Sequence, residues 1–265
     1  GSHAFDGCTG ITALIIPNEV QTIGAYAFSG CTGIKTVRLS ANLTSIGSSA
    51  FEGCTGITAL TLPSKLETIG SGTFKNVQIT TVVVPKSVTS IGAGAFQGCP
   101  LESITLPFVG GSRSTSASVE GSGGYSWNGG SKYLFGYIFG GESSTTGYTT
   151  DGKIYQGQDA KWSPNNYYDR YYIPATLKVV IITDATGISA NAFYGCTMIE
   201  SLTLNEGTAV IYDKAFYDCS SLKSMKVPTT VETIGSYAWY HCSGMTNIQL
   251  PYVTELSDYL LFGCS

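Results

Sequence analysis

The sequence predicts a repeat solenoid, mainly β with short helical turns, whose parallel strands stack at a 22- to 23-residue period. Two observations carry that expectation. Cys8, Cys31 and Cys54 stand 23 residues apart, Cys196, Cys219 and Cys242 keep the same step, and Cys264 follows after 22. Cys99 falls 45 residues after Cys54, with Val77 in the skipped place. The cysteines close blocks that read Ala-Phe-x-Gly-Cys or a near variant: AFDGC, AFSGC, AFEGC, AFQGC, AFYGC and AFYDC.

Each element of the unit has its own signature. After the cysteine comes an apolar-x-x-apolar-x-apolar run, as in ITALII, IKTVRL, ITTVVV, LESITL and LKSMKV. Its closing alternation reads as a short strand with one face buried. A proline usually follows and ends the ladder, because it has no N–H to donate. A second extended segment is marked by Val20-x-x-Ile23, Val88-x-x-Ile91 and Val231-x-x-Ile234. Gly24, Gly47, Gly70, Gly92 and Gly235 come next, and the Ala-Phe block then turns the chain through an expected short helical turn. Phe5, Phe28, Phe51, Phe74, Phe96, Phe193 and Phe216 form one column, which Trp239 extends. One unit cannot bury its own apolar face, whereas stacked units can. Nine strand segments, counting LKVVII, about 4.8 Å apart give a rod on the order of 40 Å long.

Gly1-Ser2-His3 reads as the remnant of a cleaved tag. The array then runs over 4–265 as a single solenoid, with N-terminal repeats at 4–107, an interruption at 108–172 and C-terminal repeats at 173–265. The interruption holds 13 of the 33 glycines, nine of the 17 tyrosines and two of the three tryptophans. A flexible linker would not carry so many aromatics. An ordered excursion with a loose start near 110–124 is expected, within which Leu134 and Phe135 re-enter the Ala-Phe column. The chain begins and stops inside the same block of the repeat, without the polar caps a solenoid needs. It reads as a piece of a longer array, able to associate end to end.

Composition excludes some functions. A net charge of −4 and 14 scattered basic residues argue against nucleic acid. No apolar run reaches the roughly 18 residues that cross a bilayer. Catalytic signatures such as Gly-x-Ser-x-Gly and His-Glu-x-x-His are missing. His241 beside Cys242 could suggest a thiol–imidazole pair, but the repeat puts Cys242 in a buried column and adjacent side chains diverge. No cofactor and no metal are expected, and the chain is not read as an enzyme. Free, buried thiols are favoured over disulfides at Cys8, Cys31, Cys54, Cys99, Cys196, Cys219, Cys242 and Cys264, because stacked Cβ atoms point the same way and Val77 fills the position equally well.

The consensus LPxxVxxIGxxAFxGCxxLxxLxLP resembles the BspA-like leucine-rich repeats of bacterial surface proteins, over 4–107 and 177–265. The segment LPFVGGS … LFGYIFGG … YYIPATLKVVIITDAT also resembles an elongated unit of such proteins. That resemblance implies a secreted or cell-surface location and adhesion to an extracellular host or bacterial protein.

Alternation sends Ala13 and Ile15, Thr36 and Arg38, and their equivalents outward as a small, nearly uncharged face without aromatics. Binding surfaces normally carry Tyr, Trp or Arg anchors. Those lie in the interruption: Tyr125, Trp127, Tyr133, Tyr137, Trp162, Tyr167, Tyr168, Arg170, Tyr171 and Tyr172. They are the candidate ligand-binding residues, set against simple packing of the loop onto the solenoid. A protein-binding adhesion module, a surface-glycan-binding module and a passive stalk are the readings that remain.

Overall fold

The computed structural model describes residues 1–113, 132–144, 154–156 and 168–264, with the backbone alone for 142–144, 154–156 and 168–170. The repeat builds a parallel β-solenoid with almost no helix. On one face, Ala13–Ile15 pairs with Thr36–Arg38. A six-stranded parallel sheet follows, ordered Thr81–Val83, Ser103–Leu106, Val179–Ile182, Ser201–Thr203, Ser224–Lys226 and Asn247–Gln249. Between the two sheets, residues 59–62 keep the alternation without forming a strand. Val82, Ile104, Val180, Leu202 and Met225 are buried, while both neighbours of each face outward. The second extended segment is also present, as two-residue parallel strands at Thr22–Ile23, Ser45–Ile46, Thr68–Ile69 and Ser90–Ile91, and at Gly187–Ile188, Val210–Ile211 and Thr233–Ile234.

The corner differs from the expected short helical turn. In the Ala-Phe block, alternate N–H groups stay in the turn and alternate ones leave it. Ala27 N donates to Gly24 O (3.3 Å) and Ser29 N to Tyr26 O (3.2 Å), whereas Tyr26, Phe28 and Gly30 donate to Ser48, Ala50 and Glu52 of the next rung at 2.7–2.9 Å. Left-handed residues four apart, Tyr26 (φ 56) and Gly30 (φ 67), produce the alternation. A helical turn would keep every N–H inside its own rung and leave the neighbouring carbonyls unpaired. Bonding to the next rung outweighs the cost of about 1–2 kcal/mol for each non-glycine left-handed residue.

The interior is a set of columns. Rings of Phe5, Phe28, Phe51, Phe74 and Phe96 stack at 5.3–5.9 Å, and those of Phe193, Phe216 and Trp239 at 5.5 Å. From Phe28 onward each is buried; Phe5, in the first rung, is 46% exposed. Each buried ring contributes about 1.5–3 kcal/mol of transfer free energy. Close stacking leaves no room beside the backbone: a Cβ on Gly92 would lie 2.3 Å from Ser71 N.

The interruption is built onto this frame. Ser103–Leu106 pairs in register with Val179–Ile182, so the six-stranded sheet continues across it. Phe108 and Val109 are buried, and Gly110 (φ 83) reverses the chain. Residues 111–113 then run antiparallel to Ser90–Ile91, through the Ser90–Ser112 bridge and bonds from Ile91 N to Gly111 O (2.8 Å) and Arg113 N to Thr89 O (3.1 Å). This divides the second sheet into its four- and three-stranded parts. The expected loose start near 110–124 is therefore corrected at 110–113, which pack tightly; 114–124 lies outside the described residues. Phe135–Phe139 is a fully buried 3-10 helix. It joins both neighbouring rungs, with Phe96 N donating to Ile138 O (2.9 Å) and Phe135 N to Ala192 O (2.9 Å). The Phe135 ring packs 4.8 Å from Phe193, in the column where it was expected. A three-stranded antiparallel sheet completes the excursion, with Tyr168–Tyr171 between Gly141–Ser144 and Ile154–Gln156.

Candidate recognition surfaces

Three surfaces could meet a partner. The strand face is as alternation requires: its outward side chains from Ala13 to Gln249 are exposed or half-exposed. Ile15 and Val83 are its exposed large apolar members, Val179 and Ile181 its half-buried ones, and Arg38 and Lys226 its cations. The face supplies a flat, ordered surface with few anchors.

The interruption supplies less than its composition promised. Tyr171 is 1% exposed and Tyr137 9%, so both are corrected from recognition residues to packing residues. The Tyr171 ring covers Gly136, where a Cβ would lie 2.2 Å from its Cγ, and Tyr137 covers Gly111 in the same way. Burial pushes the Tyr137 phenol above its usual range. Tyr133 and Tyr172 are half-buried. Tyr168 and Arg170 lie on the central strand, opposite Ser144 and Glu142. Tyr125, Trp127, Trp162 and Tyr167 lie outside the described residues.

The third surface was missed in the sequence. The variable residue of the Ala-Phe-x-Gly-Cys block lies on the outside of the corner. It is Asp6, Ser29, Glu52, Lys75 and Gln97 in the N-terminal repeats, then Tyr194, Tyr217, Tyr240 and Phe262 in the C-terminal ones. The aromatic set stacks into a ladder: 4.7 Å and 4° between Tyr194 and Tyr217, 4.7 Å and 15° between Tyr217 and Tyr240, and 5.2 Å and 13° between Tyr240 and Phe262. A second column stands beside it, with Tyr237 on Tyr259 at 5.0 Å. The Lys214 ammonium lies between the two, 6.0 Å from the Tyr217 centroid and 5.9 Å from that of Tyr237. AFYGC, AFYDC and AWYHC held the signal, which appears only when the variable position is compared from block to block.

The BspA type leucine-rich repeat region matches this chain in six copies, over residues 1–112 and 169–265. The chain belongs to that family. Its fold is similar to a leucine-rich repeat protein from Bacteroides ovatus ATCC 8483, at 24% identity and TM-score 0.39, covering 100% of this chain and 79% of that one. It is also similar to the leucine-rich repeat protein of T. pallidum, at 22% identity and TM-score 0.42, covering 83% and 69%. A leucine-rich cell surface protein from Faecalibacterium prausnitzii A2-165 matches at 18% identity and TM-score 0.34, covering 97% and 83%. No curated protein sequence matches the chain. Repeats of the BspA type are those of protein-interaction or surface modules and are typically non-enzymatic.

In this BspA-type chain the cysteines serve the scaffold. None of the eight forms a disulfide, and those from Cys31 to Cys242 are buried. Thiols donate to the carbonyl of the Phe column one rung back, as from Cys54 to Phe28 (3.0 Å), Cys99 to Phe74 (3.0 Å) and Cys242 to Phe216 (3.1 Å). Burial pushes the Cys54 and Cys99 thiols up to about 12, which keeps them protonated and poorly nucleophilic. His241 and Cys242 point apart: the imidazole is exposed, 4.1 Å from the Tyr240 ring, while the thiol faces the core.

Proposed function

We propose that this chain is a non-catalytic adhesion module, displayed outside the cell, that binds another protein. One observation carries the reading. The same corner position, on the same backbone, is polar in five N-terminal rungs and aromatic in four C-terminal ones. The polar rungs form the turn without a ring there, so the half-buried aromatic ladder is not needed for folding. Aromatic side chains fixed on a rigid frame are what protein-binding surfaces use. The family supports a surface location. Tyr133, Tyr168, Arg170 and Tyr172, with Tyr125, Trp127, Trp162 and Tyr167, are proposed as a second contact region.

The test is binding of the immobilised chain to a panel of purified extracellular host proteins and bacterial surface proteins. Saturable binding to a member of the panel is the expected result. A chain that binds none of them is a stalk. Binding confined to glycans would replace the protein-binding reading with a carbohydrate one.

A further inference from the structure

We propose that the ladder of Tyr194, Tyr217, Tyr240 and Phe262, with Tyr237, docks a polypeptide segment that lays an aromatic side chain flat across the ring edges and sets a basic side chain against the flanking aspartates. The proposal rests on the protein-binding reading above and adds the site and the chemistry of the partner.

Ring geometry selects the partner. Centroids 4.7 Å apart at 4° and 15° leave no gap between Tyr194, Tyr217 and Tyr240, so each covers its neighbour's face. A sugar ring or a guanidinium needs an open aromatic face, and the internal members of the ladder offer none. They present edges. A ring edge carries the positive part of the aromatic quadrupole, and its complement is the negative face of another ring, in the edge-to-face arrangement. An aromatic side chain lying flat over the column meets several edges at once.

Charge selects the rest. Asp213 and Asp258, both exposed, directly precede Lys214 and Tyr259, Tyr237 N donates to Asp258 O, and half-buried Asp218 follows Tyr217 and interacts electrostatically with exposed His241. Lys214 already lies against the rings of Tyr217 and Tyr237. The charges left at the rim are predominantly carboxylates, on a chain of net charge −4. A basic residue next to the docked aromatic complements them, and such rim pairing governs selectivity and association rate more than raw affinity.

The experiment uses the intact chain and three probes: a capped synthetic peptide alternating Trp and Arg, its Trp/Glu counterpart, and chitohexaose. Fluorescence anisotropy of labelled probes reads binding, and a thermal melt checks the fold of each variant. Tyr217→Ser/Tyr240→Ser copies the residue that Ser29 already places in this column, so it folds. The Trp/Arg peptide is expected to bind the parent chain and to lose at least about tenfold in affinity to the double variant. Tyr252→Ser, at a fully exposed site outside both columns, is expected to change nothing. Asp213→Asn/Asp258→Asn, which keeps every ring, is expected to weaken the Trp/Arg peptide and to narrow its advantage over the Trp/Glu peptide. Equal binding to the parent and the double-Ser variant overturns the proposal, as does an equal loss in Tyr252→Ser. So does failure of both peptides to bind the parent. Ladder-dependent binding of chitohexaose alone, or ladder-dependent self-association in sedimentation, assigns the site to another occupant. Panel proteins that bind the double-Ser variant undiminished sink the ladder and leave the module's function standing; peptide docking without any panel binding does the reverse.

Discussion

The Cys54 thiol donates to the Phe28 carbonyl at 3.0 Å, and that carbonyl also accepts Cys31 N–H of its own rung at 3.2 Å. One oxygen thus closes a turn and ties down the rung that follows. Val77 sits in the same column, fully buried, without a donor. Cys54→Val is therefore expected to fold and to lose about 1 kcal/mol, the net value of one hydrogen bond. Cys54→Ala loses the bond and also leaves a small void, at about 2 kcal/mol. Chemical denaturation of the two variants ranks them, and a Val variant weaker than the Ala variant contradicts this account.

The thiol column also sets an alkaline limit. Cys54 and Cys99 are held up to about 12 in the fold, against an ordinary value of 9.0. A raised folded-state value means that unfolding releases protons above the ordinary value. The stability these groups contribute is complete below about pH 9 and is lost as pH rises toward 12. The melting temperature should hold level from pH 7 to 8.5 and fall steeply between pH 9 and 11. Replacing Cys99 with Val should flatten part of that fall.

Arg113 fastens the interruption to the array. Its guanidinium pairs with the Asp184 carboxylate, reaches Lys86 O at 2.6 Å and Val88 O at 3.4 Å, and lies 5.8 Å from the centre of the Phe108 ring. Arg113→Met keeps the stem and removes these bonds. A loss of about 1–3 kcal/mol is expected, from charge-assisted bonds to partly buried acceptors. Hydrogen exchange should speed up at Ile91 and Arg113, whose N–H groups hold residues 111–113 against the array. Unchanged protection at those amides would mean that Arg113 is not what holds the segment.

Gly92 is required by contact rather than by conformation. A Cβ on Gly92 would lie 2.3 Å from Ser71 N and 2.6 Å from Gly70 C, backbone atoms that cannot move without parting two rungs. Gly92→Ala is expected to cost about 3 kcal/mol or more. Gly10→Ala, where nothing lies within 4 Å, should change stability by less than about 0.5 kcal/mol. Melting curves of the pair check the contrast.

Much of this was legible in the sequence for one reason: a repeat states the same physical instruction many times. The alternation around Val82, Ile104 and Val180 gave the buried face, and the spacing of Phe28, Phe51 and Phe74 gave the column. The fate of Tyr137 and Tyr171 was not legible. A tyrosine in a Gly-rich stretch reads the same whether it meets water or covers Gly111 and Gly136, and only the path of the chain through Gly110 decides. The ladder was half legible, since its letters repeat at the period while the covering of its ring faces follows from the distance between rungs.

The sequence by itself determined the period, the register and the inward columns, because hydrophobic spacing along a chain fixes which side chains share a face. Tertiary structure alone decided the left-handed corners at Tyr26 and Gly30, the antiparallel turn-back at 111–113 and the edge-on ladder from Tyr194 to Phe262. Each of these depends on a partner one rung away, a carbonyl to accept an N–H or a ring to cover a face, and that partner is set only when the rungs have stacked.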